Sequence, residues 1–171
     1  MVRFRWVLVI GTVLAFLAIA PIAGAAAPNT GNAHFIKSQT TATTDGSGNL
    51  VASFKETGLS AGSTETITLT ATQTVTYECV NGGGKNPSAS NKHSITTTSS
   101  NFGNFPVDRN GNLVASLTVP VAPDTVGCPP GQTDTLVSVV YSNITLKDST
   151  SGAQISLADV SYTNHSAPPL R

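Results

Sequence analysis

Charge, aromatic rings and sulfur are all scarce in this sequence. Charged residues make up 11% of the 171-residue chain and aromatic residues 6%, with two cysteines and one tryptophan. Each shortage excludes something. The basic residues are few and scattered, so there is no patch for nucleic acid and no polybasic anchor for lipid. The one indole, Trp6, lies in the N-terminal apolar run, which leaves the rest of the chain few stacking platforms for sugars. Two cysteines without clustered histidines cannot build a zinc site. His34, His93 and His165 stand apart, and none has metal-ligand spacing. No metal and no cofactor is expected. The chain has no G-x-S-x-G elbow and no H-E-x-x-H pattern. A glycosidase needs only two carboxylates, and Glu56, Glu65 and Glu78 would supply them only if the fold brought them together.

The N-terminus carries the clearest signal. Arg3 and Arg5 precede an apolar run from Trp6 to Ala27, broken at Pro21 and ending in small residues. That is the layout of a secretory signal peptide, expected over residues 1–26; an uncleaved membrane anchor is the alternative. A flexible segment (27–32), a folded domain (33–163) and a disordered tail (164–171) are expected to follow. Cleavage would remove Arg3 and Arg5 and leave seven basic against nine acidic residues, a net charge of about −2. The expected location is extracellular, with no membrane attachment after cleavage. In that compartment an even pair of cysteines, Cys79 and Cys128, reads as a disulfide. It would close a loop of about 50 residues, worth on the order of 4 kcal/mol in the chain-entropy picture.

No window carries a helical apolar period. Short alternating runs appear instead, separated by Gly, Asn, Asp, Ser and Pro clusters, which predicts an all-β chain. Strands are expected at 33–43, from Leu50, at 64–80, at 93–98, in a broken stretch around Pro106, and at 112–121, 135–146 and 154–163. Pro106 suits an edge strand. In the longest run Thr fills every even position from Thr64 to Thr76, while Ile67, Leu69, Ala71, Val75, Tyr77 and Cys79 take odd ones. A strand places these sets on opposite faces. A bend or bulge is expected near Ala71 to Gln73, where the inward side chains turn small and polar. Regular Thr arrays serve ice-binding proteins, but one strand is not a plane. About eight strands at this spacing predict an immunoglobulin-like antiparallel β-sandwich with one disulfide pinning two loops at one end.

"GNLVAS" occurs twice, at Gly48–Ser53 and Gly111–Ser116, each behind an Asp-led turn at Asp45 or Asp108. Glycine supplies a positive φ, and Asp can accept amides two residues on. The pattern predicts a turn that launches a strand, used twice. A calcium loop is the competing reading, but the Gly falls at the wrong place for one. The least ordinary loop is Asn81, Gly82, Gly83, Gly84, Lys85 and Asn86, which abuts Cys79. It is the candidate recognition loop, stapled at its base.

"YECVNGGGKNP", with "CPPGQ" downstream and a following "LVSVVYSNITLKD" strand, resembles a group of small secreted bacterial proteins, mostly actinobacterial, of unknown function. The likeness runs from about Ala33 to Thr163. It implies secretion and a Cys79–Cys128 bridge, and it implies no activity. "NGNLVASLTV" has a weaker likeness to neocarzinostatin-type apoproteins, immunoglobulin-like sandwiches that bind a chromophore; this chain has one cysteine pair where they have two. The expected function is non-enzymatic: interaction with an unknown extracellular protein or cell-wall partner, or a structural role there. A small-ligand or carbohydrate binding module ranks second and an enzyme third. A concave apolar pocket would favour the second.

Overall fold

The computed structural model describes residues 32–82 and 92–167, and these form two antiparallel sheets. In the first sheet β1 (His34–Phe35) and β2 (Thr41–Thr44) both pair with β3 (Leu50–Thr57), whose other edge pairs with β6 (Asn112–Val119). In the second, β5 (Lys92–Pro106) pairs with β4 (Thr64–Asn81) and β4 with β7 (Gln132–Asp148). Two short strands, β8 (Gln154–Ser156) and β9 (Val160–Thr163), share the far edge of β7. The chain leaves the first sheet after β3 and returns as β6. It leaves the second after β5 and returns as β7. These interlocked β3–β6 and β4–β7 pairs make the arrangement an immunoglobulin-like sandwich.

The alternation written in the sequence becomes the core. Leu50, Ala52 and Phe54 of β3 point inward, and Ile67, Leu69, Ala71 and Val75 of β4 meet them. Val139, Tyr141, Ile144 and Leu146 of β7 complete the facing layer. Phe54 sits edge-on between Phe35 and Phe105, with ring centroids 5.9 and 5.7 Å away. Each such ring contributes packing beyond its buried area.

The outline differs from expectation in three places. The run 33–43 is interrupted by a 3₁₀ turn at Lys37–Gln39, where Gln39 N–H bonds Ile36 O instead of a neighbouring strand. The two runs expected on either side of residue 100 are one 15-residue strand, β5, because β4 is long enough to pair with all of it. The run 154–163 is two strands, which pair with β7 on either side of residues 142–144. Pro106 does end an edge strand. The expected irregularity falls at Thr70–Thr72, but the extra residue belongs to β7. It includes Asn143, whose φ is 51°.

The two GNLVAS copies are neighbours. Ser53 pairs with Ser116, its own counterpart in the repeat, so the copies lie antiparallel about a local twofold. Their turns are built alike. Asp45 Oδ1 accepts the amides of Ser47 and Asn49, and Asp108 Oδ1 accepts those of Asn110 and Asn112. Gly48 and Gly111 take φ of 85° and 74°. With their carboxylates used on their own backbones, both are strand-launching turns, one at each end of the sheet.

The outward Thr row of β4 is flanked by Ser94, Thr96, Thr98 and Ser100 of β5 and by Ser142 and Thr145 of β7. Some of these hydroxyls bond each other across the strands, as Thr74 with Thr96 and Thr76 with Ser94. Sheet twist keeps so wide a row from being flat.

Candidate functional site

Past Val119 the chain cannot continue as a strand, because Pro120 and Pro123 lack amide hydrogens. Residues 120–125 become a strap along the sandwich corner. Side chains from three directions hold it. Asn49, from the first GNLVAS turn, accepts Val121 N–H at 3.1 Å. Gln73, fully buried on β4, accepts Ala122 N–H at 2.8 Å and donates to Ser99 Oγ and Pro120 O. The Tyr77 hydroxyl donates to Ala122 O at 2.7 Å. The polar residue expected to mark a bend therefore ties the strap to β4.

β5 approaches β6 at Asn101, whose Nδ2 donates to Thr118 O. Toward Lys92 the strap takes the place of β6, and a groove of about 490 Å³ opens between it and β5. Ile95, Thr97 and Ser99 line one wall, and Pro120, Val121, Ala122 and Pro123 the other. Among the described residues β5 pairs with no strand on this side.

At the mouth of the groove lie His93, Asp124 and Asp134, from β5, the strap and β7. His93 Nε2 is 2.5 Å from Asp124 Oδ1. The imidazole stacks on Tyr77, with centroids 6.1 Å apart and planes 23° from parallel. Asp124 also accepts the amides of Val126 and Gly127. Burial pushes its carboxyl up, but those amides and His93 outweigh it and hold it below the ordinary range. Asp134 pairs across the ladder with Cys79. Partial burial and the charge of Asp124 push its carboxyl up. Cys79 and Cys128 form the disulfide, with Cα atoms 5.5 Å apart. It joins the end of β4 to the loop that follows the strap.

Of the recognition loop, Asn81 ends β4 opposite Gln132 and Gly82 begins the turn. Gly83, Gly84, Lys85 and Asn86 lie outside the described residues. Sequence spacing gave His93 no metal-ligating partner; the fold supplies two carboxylates, 31 and 41 positions away along the chain. His34 stays apart from these groups and contacts Asn32 O.

Glu56 and Glu65 do converge, with Asp148, at the other end of β4. All three are buried: 0%, 3% and 0% exposed. Ser151 donates to Glu56, Ser63 to Glu65, and the Thr150 amide to Asp148. One oxygen of each carboxyl has no hydrogen-bond partner. Burial pushes Glu56 up to about 7, helped by the neighbouring Asp148 and Glu65 charges. Burial and the neighbouring Asp148 push Glu65 the same way. Glu78 is not part of this group; it is buried near Cys79.

No protein-family model matches this chain, and a comparison with curated proteins finds no match.

Proposed function

We propose that the protein works outside the cytoplasm as a non-enzymatic recognition module, taking up an extended polypeptide segment of an extracellular or cell-wall partner along β5. The observation that carries this reading is a preformed groove lying beside an edge of β5 that pairs with no strand among the described residues. An extended segment gains backbone hydrogen bonds from such an edge, and alternate side chains enter pockets beside it. Ile95, Thr97 and Ser99 are alternate residues on the groove side of β5. The opposite wall is held by Asn49, Gln73 and Tyr77, so binding need not order it.

The disulfide supports an oxidising compartment, as does the signal-like N-terminus. Among the described residues no helix is long and apolar enough to cross a membrane. Glu56 and Asp148 are closed to solvent, which argues against a carboxylate pair acting on substrate. A small ligand is the second reading, favoured by a groove volume within the range of ligand pockets.

The test is affinity selection from a displayed random decapeptide library. Thr97→Trp, which fills the groove, should weaken the selected peptides by at least about tenfold, a loss of roughly 1.4 kcal/mol. Its circular dichroism and thermal midpoint should match wild type. Failure to select any binder, or equal binding by the filled variant, would remove the proposal.

A further inference from the structure

We propose that His93, Asp124 and Asp134 form a site for one divalent transition-metal ion of the zinc type at the disulfide end of the sandwich. The site stands independently of whether the groove takes a peptide. One imidazole nitrogen and two carboxylate oxygens, drawn from β5, the strap and β7, lie within 4.8 Å of one another. Tetrahedral ligands about 2.0–2.2 Å from zinc stand roughly 3.3–3.6 Å apart, so small side-chain movements suffice.

The surrounding structure orients two of the three. Stacking on Tyr77 fixes the plane of the His93 ring. The Val126 and Gly127 amides fix the carboxylate of Asp124, whose side chain is only 4% exposed. Such supporting contacts are what tune metal ligands. His93 and Asp124 are already in contact. A divalent cation would replace the proton between His93 Nε2 and Asp124 Oδ1 and neutralise both acids. With three protein ligands, a fourth position is left for water or a donor from a partner, as in open zinc sites. The imidazole selects against calcium and magnesium, which take oxygen ligands.

The test is calorimetric titration of zinc chloride into the disulfide-bonded protein in a non-chelating buffer. The expected result is a saturable 1:1 isotherm, with no comparable heat from calcium chloride. Asp134→Asn alters an exposed side chain and should leave the fold intact. It should weaken zinc binding by at least about tenfold, since even outer-shell partners are worth about 10–100-fold. His93→Gln should do the same, while His165→Gln should bind as wild type. The His93 ring protons should shift in the proton NMR spectrum on adding zinc. No saturable heat, or undiminished binding by Asp134→Asn, would overturn the site.

Discussion

The two ends of the sandwich meet the same problem, carboxyl groups drawn out of water, and answer it differently. At the end holding Glu56, Glu65 and Asp148 the acids lie buried together, and burial favours the protonated forms of Glu56 and Glu65. At the end holding the disulfide, Asp124 is met by two amides and an imidazole and remains a carboxylate. The first end is closed, and there burial raises Glu56 and Glu65. The second is open to solvent and to the groove, and keeps its charge. A buried acid cluster is thus a structural element here, and the partly exposed one has the features of a site. The twin GNLVAS turns sharpen the contrast. The Gly111 turn caps the closed end and the Gly48 turn the open end, where its Asn49 also holds the strap.

The largest effect should come from the staple at the open end. Cys79→Ser with Cys128→Ser releases a 49-residue separation and should lower unfolding stability by about 4 kcal/mol. Urea denaturation measures this. A loss much below that would mean the strap contacts hold this end without the bridge.

Next is the pH response of the closed end. Glu56 ordinarily titrates at 4.5 and is raised here to about 7. Between those values the folded state holds a proton that the unfolded state has lost. Stability from this group is complete below pH 4.5, declines as pH rises, and is gone above about 7. The shift corresponds to roughly 3 kcal/mol at most. Glu56→Gln should flatten the dependence of the urea midpoint on pH across this window. An unchanged slope would show that burial does not raise Glu56 as described.

The turns should differ by less. A β-carbon at Gly111 would meet Leu59 O at 2.6 Å, a backbone atom that cannot easily move. At Gly48 it would meet the Tyr162 ring at 2.9 Å, which can swing. Left-handed backbone already costs an alanine about 1–2 kcal/mol. Both Gly→Ala changes should destabilise, with Gly111→Ala the worse by thermal denaturation.

The smallest effect is at Asp124. Its contribution is present above the ordinary carboxylate value of 3.8 and is lost as pH falls through its lowered folded value. The open end thus weakens in acid, the closed end as pH rises. The amide shifts of Val126 and Gly127 should titrate below pH 3.8 in wild type and stay flat in Asp124→Asn.

Much of the fold was legible because a strand has period two. Leu50, Ala52 and Phe54 and the odd residues of β4 declared their faces, and the Asp–Gly turns declared their ends. The inward direction of the closed acid cluster follows from the same rule, whereas its convergence depends on how the two sheets meet. Glu56 continues the inward row of Leu50, Ala52 and Phe54, Glu65 that of Ile67 and Leu69, and Asp148 that of Ile144 and Leu146. Gln73 marked the strap anchor in the same way. The open site was not legible. His93, Asp124 and Asp134 meet only because β5, the strap and β7 converge there, and no local period encodes that.

The most direct test of the open end as the recognition end is an amide chemical-shift titration with a peptide selected on the wild-type protein. The account predicts shifts concentrated at residues 93–99 and 120–126, with Glu56, Glu65 and Asp148 undisturbed. Shifts centred on those three acids, or spread evenly over both sheets, would contradict it.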